Sequence, residues 1–288
     1  MSGGGKLCIV TADDLGISPE VNRGIVEGYR HGIVTAASLL VNAPATADAV
    51  ALVRRFRGLE IGLHLSIVEG ISLRGVAGTL TDELRYFDGR LCLHRGWRQF
   101  LRRYLLARID FQELEEELTL QVERFLESFP GIPFANCTQH LHLLPGVRDV
   151  VLRLAARYRI GALRAAPFAG AGLRLGARAP ALLAVNALAP SLQRAARRGG
   201  LKTTDRCCGF ETTGRTREAD LLRFAAAAAA GSTEWMAHPG HDCPALRGGL
   251  PWAYRGFAWS AELVALCSRS VRSACRTHRL ELIRFSDL

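Results

Sequence analysis

The chain has 288 residues, 49% of them hydrophobic and 22% charged, which is enough to bury a large core and excludes a disordered protein. Its formal net charge is +10, yet all but two of the 37 basic residues are arginine, so we attribute the charge to a composition bias. No helix-turn-helix, aromatic RNA-binding or zinc-finger pattern accompanies it, and we expect no nucleic-acid partner. The eight cysteines form no C-x-x-C pair, which argues against disulfides and a structural zinc site.

Short β-rich runs alternate with amphipathic helical patterns, which predicts a mainly parallel sheet in one α/β domain spanning residues 1–288. The predicted strands are 7–11, 35–41, 60–65, 134–141, 162–165, 233–237 and 280–285. The predicted helices are 19–31, 45–56, 112–129, 146–158, 179–198, 218–230 and 260–268. Asp13 and Asp14 interrupt the first apolar run at once, so we expect neither a signal peptide nor a membrane span. The expected location is the cytoplasm, with the inner face of the membrane as an alternative.

The pattern loosens between residues 69 and 110, which predicts an insertion over one face of the fold. Within it, Trp97, Phe100 and Leu101 begin an apolar series at spacings of three and four, with arginines between. A helix of this kind can pack against the core or can lie on an anionic membrane. Packing is the more common case, and peripheral membrane contact is the alternative.

Polar residues that could bind or react follow several of the predicted strands. In parallel α/β folds, reactive groups collect at the carboxyl ends of strands. Here those ends carry Asp13 and Asp14, then His64, then the segment 138–142, and finally the segment 238–241. Five of the eight histidines lie in the last three of these places. Two adjacent aspartates either cap a turn or are kept ionised by a nearby cation.

Thr138, His140 and His142 alternate along the fourth predicted strand. If the chain stays extended there, all three side chains point to one face of the sheet. Two imidazoles on one face, with a carboxylate from another strand, suit zinc or a similar divalent ion. His238, held in a turn by the Pro-Gly that follows it, is placed as a general acid would be, or simply ends a strand.

Taken together, these segments resemble the YdjC-like carbohydrate deacetylases. The resemblance rests on T-A-D-D-L-G at 11–16, G-I-V-T at 32–35, G-L-H at 62–64, H-L-H at 140–142 and H-P-G at 238–240. It implies an irregular, TIM-like (β/α) barrel that removes an N-acetyl group from an N-acetylglucosamine-type sugar. The segments 35–41 and 62–65 look most like the hopanoid-biosynthesis branch, which implies a lipid-linked substrate.

The resemblance also implies roles for particular residues. Asp14 and His64 are implied as ligands of a divalent ion, zinc or magnesium, with Asp13 as the general base. His238 is the implied general acid, and Arg164 matches an arginine expected near the substrate, where His142 and Thr138 are also expected.

Thr138 stands where the family usually has its third metal-binding histidine. Threonine is a poor zinc ligand, so three interpretations stay open. His140 takes the place of the missing ligand, the metal is bound weakly, or the chain is a non-catalytic binder of sugars or glycolipids. A different metal hydrolase, such as a phosphoesterase, is a further alternative, because a fold does not fix a function. The oligomeric state does not follow from the sequence.

Overall fold

The structure is a computed structural model that describes residues 5–169, 178–243, 246 and 256–288. Its strands are β1 (Lys6–Leu15), β2 (Ala36–Leu39), β3 (Glu60–Leu65), β4 (Thr81–Phe87), β5 (Arg90–Leu93), β6 (Phe134–Cys137), β7 (Ala162–Leu163), β8 (Arg206–Cys208), β9 (Gly231–Ala237) and β10 (Leu280–Leu282). Its helices are α1 (Pro19–His31), α2 (Thr46–Val53), α3 (Trp97–Leu105), α4 (Phe111–Leu126), α5 (Val147–Arg157), α6 (Ala179–Arg198), α7 (Glu218–Ala227), α8 (Trp259–Leu266) and α9 (Arg269–Thr277). The segments Thr138–Leu143 and Phe285–Asp287 are 3-10 helices.

The main sheet is parallel and curled, with the strand order β7-β6-β3-β2-β1-β9-β8. The short strand β10 pairs with the first residues of β1 and lies off this path. Helices follow most of the strands, as the alternating pattern predicts. The chain therefore has the expected α/β class and a sheet whose carboxyl ends form one edge.

The TIM-like barrel of the sequence analysis is confirmed only as a curled, mainly parallel α/β sheet, since the described residues do not form a closed ladder of eight strands. Its edge strands β7 and β8 are only two and three residues long. These edges meet through two isolated bridges, Ala162 to Lys202 and Phe168 to Cys207. Such short edges cannot build a continuous ladder, and the sheet remains a partial barrel.

Helix α1 shows how local sequence signals fix an element beside the site. The Ser18 hydroxyl accepts a hydrogen bond from the Val21 N–H, and Pro19 occupies the first turn, where its missing N–H is harmless. The helix packs closely on the chain that follows β9. A Cβ atom on Gly24 would lie 2.5 Å from the Gly240 Cα atom, so only glycine permits this approach. The contact holds the turn that carries His238.

The prediction of a strand over residues 134–141 is wrong in its second half, because β6 ends at Cys137. Its pairing with β3 stops where β3 itself stops, at the Leu65–Cys137 pair, so the chain beyond has no ladder partner. Gln139 and His140 then adopt left-handed φ angles of 51° and 56°. The side chains at 138, 140 and 142 therefore do not alternate on one face of a sheet.

The segment predicted as an insertion lies outside the order of the main sheet. It contains β4 and β5, which form a separate antiparallel pair, and the helix α3. Phe100 is the buried residue of α3, whereas Trp97 is 42% and Leu105 73% exposed. Packing therefore accounts for only part of the apolar series. No helix in the described ranges is both long and apolar enough to cross a membrane.

The amino-terminal end of the sheet is closed by an apolar cluster. Phe134 stacks on Phe285 with ring centroids 4.2 Å apart, and Ile9, Ala36 and Ala162 complete the packing. The carboxyl-terminal half carries polar side chains instead. One end of the curled sheet is therefore filled with hydrophobic core, and the other end contains the buried polar side chains.

Candidate active site at the carboxyl ends of the strands

A connected set of buried polar side chains occupies the carboxyl-terminal half of the main sheet. Parallel strands bring these groups together from positions far apart in sequence. None of them is more than 4% exposed. The set comprises Thr11 and Asp13 from β1, Ser38 from β2, His64 from β3, Asn136 from β6, Arg164 directly after β7, and Glu234 from β9.

Asp13 is the centre of this set. Arg164 holds its carboxylate with both terminal nitrogens, Nη1 at 2.6 Å from Oδ2 and Nη2 at 3.0 Å from Oδ1. The Ser38 hydroxyl and the Asn136 amide donate to Oδ1 at 2.7 and 3.0 Å. Burial by itself would raise the pKa of Asp13, but Arg164 and His64 hold it well below its usual range. The carboxylate is therefore ionised and fixed in orientation.

Arg164 bridges Asp13 to a second buried carboxylate. Its Nε and Nη2 atoms donate to the Glu234 Oε1 at 2.9 and 2.6 Å, and the Thr11 hydroxyl donates to the same oxygen at 2.7 Å. Burial would lower the pKa of Arg164, whereas the two carboxylates raise it well above its ordinary value. Four of its five guanidinium N–H groups donate to these two carboxylates, and the substrate contact of Arg164 stays a prediction. The guanidinium positions Asp13.

Asp14 and His64 are the two predicted metal ligands that the structure brings together. Asp14 has a left-handed φ of 68°, and its Oδ1 lies 3.6 Å from the His64 Nε2. The His64 Nδ1 lies 2.5 Å from the Asn136 Oδ1. Since the Asn136 amide nitrogen already donates to Asp13, this oxygen accepts, and we assign the proton of His64 to Nδ1.

With its proton on Nδ1, His64 can act as a metal ligand through Nε2. The Nε2 lone pair points toward the Asp14 carboxylate, an arrangement that a cation or a proton between them would stabilise. Burial lowers the pKa of His64, but Asp14 and Asp13 raise it above its ordinary value. Asp14 and His64 therefore fit a divalent ion as two ligands. The described ranges hold no group of three His, Cys, Asp or Glu side chains placed for a metal.

His140 and Thr138 do not complete that set. The left-handed turn places the His140 ring against Phe168 and Phe210, with centroids 5.0 and 5.5 Å away. The Thr138 hydroxyl is buried and donates to the Val68 carbonyl at 3.5 Å. The chain leaves the sheet before His140, so the described residues do not place it in a three-ligand group, and its role as the third ligand stays a prediction.

His142 lies behind the Asp13 network. It is 1% exposed, and its Nε2 lies 2.7 Å from the Arg164 carbonyl oxygen. Burial lowers the pKa of His142 to about 4. The ring is therefore neutral near pH 7, donates through Nε2, and has an Nδ1 lone pair with no partner among the described residues.

We expect the His142 ring in the folded protein to show no NMR titration between pH 5.5 and 8. The unfolded chain binds this proton near pH 6.5 and the folded protein near pH 4. Stability from the neutral ring is thus complete above about pH 6.5 and falls as the pH decreases toward 4. The same signal in urea-unfolded protein is the control. A folded-state midpoint near 6.5 would contradict this environment.

His238 directly follows β9, opposite a buried glutamate of α8. The His238 N–H donates to the Glu262 Oε2 at 2.6 Å, and the Nδ1 atom lies 3.9 Å from that oxygen. Burial raises the pKa of Glu262, and the nearby His238 imidazole opposes that rise. The other Glu262 oxygen accepts from the Thr216 N–H at 2.9 Å. Glu262 thereby ties the turn of His238 to a neighbouring loop.

Sequence reasoning missed several residues of the site, among them Ser38, Asn136 and Glu262. Ser38 and Asn136 each lie within a short buried strand, and a polar side chain among apolar neighbours was the available signal. Glu262 is a single acid in the otherwise apolar first turns of α8, which is the pattern of a buried carboxylate with partners. None of these signals identifies the partner, since each partner lies far away in sequence.

The fold and these side chains define an α/β protein with an acid and imidazole site at the carboxyl ends of a curled parallel sheet. Residues 7–277 match the family described as YdjC-like protein, and the chain belongs to that family. A human carbohydrate deacetylase is 33% identical over 97% of this chain and 90% of its own length. Carbohydrate deacetylase 1 of Listeria innocua is 36% identical over 54% of this chain and 60% of its own.

One solved structure shares the fold across nearly the whole chain. It belongs to an Enterococcus faecalis V583 protein, provisionally described as a cellobiose-phosphate cleavage protein. The TM-score is 0.71 with 18% sequence identity, and the match covers 98% of each chain. At this identity the likeness concerns the architecture alone.

Proposed function

We propose that this chain hydrolyses the N-acetyl group of an N-acetylglucosamine-type sugar. The observation that carries the proposal is the ionised Asp13, held by Arg164 beside the Asp14–His64 pair at the strand ends. Membership of the YdjC-like family and relatives named carbohydrate deacetylases support an acetylated sugar as the substrate class. A buried carboxylate of fixed orientation is what a general base requires.

In the proposed reaction, Asp13 accepts a proton from a water molecule as the water oxygen attacks the acetamide carbonyl carbon. His238 then donates a proton to the leaving nitrogen as the carbon–nitrogen bond breaks. The products are acetate and the free amino sugar. A divalent ion bound by Asp14 and His64, zinc or magnesium, would supply Lewis acidity at the carbonyl oxygen. Arg164, itself held by Glu234, keeps Asp13 ionised before the proton transfer and oriented throughout.

The direct test is acetate release from N-acetylglucosaminyl oligosaccharides and glycolipids, measured together with the elemental composition of the purified protein. We expect acetate in the presence of zinc or magnesium and none after treatment with a chelator. Absence of acetate with every substrate, in protein that carries the metal, would refute the proposal.

A second candidate function is a non-catalytic binder of sugars or glycolipids, which Thr138 favours because it leaves the metal donors supplied by the described residues at two, Asp14 and His64. The substitution Thr138→His separates the candidates. We expect both proteins to release acetate, with at least tenfold tighter zinc binding in the variant, because imidazole is a good zinc ligand and a hydroxyl is not. Thr138→Val is the matched control. Activity in the histidine variant alone would identify the natural chain as the binder.

We further propose a lipid-linked substrate, such as the hopanoid glycolipid of the resembling branch, reached through peripheral membrane contact. The exposed side chains of Trp97 and Leu105 on α3 support it, since three arginines lie on the same helix.

Replacing these three arginines, Arg98, Arg102 and Arg103, by glutamine should reduce cosedimentation with anionic liposomes at least fivefold. The reason is that each basic residue near an anionic surface contributes about 1 kcal/mol. The control replaces Arg269, Arg272 and Arg276 of α9, which changes the net charge equally. Equal binding of both triple variants would argue against contact through α3.

A further inference from the structure

An aromatic surface lies beside the acid network and takes no part in the proposed proton transfers. It consists of His140, Phe168 and Phe210, whose ring centroids lie 5.0 to 5.5 Å apart. We call these three rings the aromatic shelf. Phe168 is buried, whereas His140 and Phe210 are half-buried and present ring surface. Leu182, Cys207 and Met236 pack behind the shelf.

The shelf is connected to Asp13 through a short series of contacts. The His140 ring lies 6.4 Å from the His142 ring, centroid to centroid, and His142 bonds to the carbonyl of Arg164. The Arg164 guanidinium holds Asp13. The shelf therefore borders the buried groups that hold Asp13.

The backbone at the shelf adopts an unfavourable conformation at two consecutive residues. Gln139 and His140 are consecutive non-glycine residues with left-handed φ angles, each of which is uncommon. Strain of this kind persists where the surroundings enforce it and is concentrated at binding sites. Here it turns the His140 ring away from the sheet and onto Phe168 and Phe210.

We propose that the aromatic shelf is the subsite that receives the apolar face of a pyranose ring, an inference that rests on the proposed function. Aromatic surfaces pack well against the C–H groups on one face of a sugar, while its hydroxyl groups seek polar partners. The Nδ1 atoms of His140 and His142 are buried with no hydrogen-bond partner among the described residues. At the half-buried His140, a sugar hydroxyl would supply the missing partner, which an alkyl chain could not do, and this favours a sugar over a lipid tail.

The test is binding of di-N-acetylchitobiose, measured by calorimetry and saturation-transfer NMR without added metal. Phe210→Ala should weaken binding about tenfold, and Phe210→Trp should restore it to within threefold of the natural protein. Where turnover is measurable, KM should rise by the same factor in Phe210→Ala while kcat changes less than threefold. Phe129→Ala, which removes a half-buried ring stacked on Phe125, is the matched control.

The outcomes separate the subsite from the hydrolysis. Binding that Phe210→Ala weakens, in a protein that releases no acetate, supports the shelf and refutes the proposed function. Turnover with an unchanged KM in Phe210→Ala, or a Kd within twofold of the natural protein, overturns the shelf and leaves the function standing. A natural protein that does not bind the disaccharide overturns the shelf, whereas the proposed function is overturned only if metal-loaded protein releases acetate from none of the N-acetylglucosaminyl substrates.

Discussion

Asp13→Asn is expected to lower the rate of acetate release at least a thousandfold. General base catalysis contributes about 10²–10⁴-fold, and an amide at this position accepts no proton. The proposed metal ligands Asp14 and His64 should be unaffected. The contact between His64 and Asn136 remains, and so does the Asp14 carboxylate beside His64. The variant should therefore keep its affinity for zinc, measured by competition with a chelating dye.

The matched substitution Asp14→Asn tests the proposed role of Asp14 as a metal ligand. It should weaken zinc binding at least tenfold and also abolish activity, because it removes one of only two ligands that the described residues supply. If Asp13→Asn retains a tenth or more of the activity, Asp13 is not the base. If Asp13→Asn loses the metal while Asp14→Asn keeps it, the two roles are exchanged.

Arg164→Met is expected to destabilise the fold by about 3–5 kcal/mol, the usual effect of removing one partner of a buried ion pair. The substitution leaves Asp13 and Glu234, 2% and 0% exposed, without the guanidinium that neutralises them. Urea unfolding followed by circular dichroism measures the loss. Arg153→Met is the control, because its pair with Glu115 lies at the surface, and it should change stability by less than about 0.5 kcal/mol.

A compensating variant shows whether unpaired charge is the cause. Adding Asp13→Asn and Glu234→Gln to Arg164→Met removes all three charges of this buried ion-pair group. We expect the triple variant to recover at least half of the lost stability. A triple variant as unstable as Arg164→Met alone would assign the loss to packing of the arginine side chain instead.

Local signals in the sequence predicted most helices but missed α9 and the strand β8. Ser18 and Pro19 mark the start of α1, and the structure begins that helix at Pro19. The same kind of signal was overlooked at α9, where the Ser268 hydroxyl accepts from the Ser270 and Val271 N–H groups. β8 was missed because three residues are too few to show a period.

The candidate site divides in the same way. Asp13, Asp14, His64 and His238 were predicted because polar residues at strand ends are visible in the sequence. The position of Arg164 was found, but its partners were not, since Asp13 and Glu234 lie 151 and 70 positions away. His140 was misplaced for a related reason: the end of β6 depends on where β3 stops, which the residues of β6 do not encode.

The sequence by itself determined the α/β class, the alternation of strands and helices, the family and the strand ends that carry chemistry. These follow from periodicity, capping and motif residues that act over a few positions. Only the tertiary structure decided that the sheet remains a partial barrel, that Arg164 serves Asp13, and that His140 joins an aromatic shelf. Each of these depends on which groups from distant parts of the chain meet in the buried interior. The partner decides where a strand stops, which ion pair forms and which rings pack together.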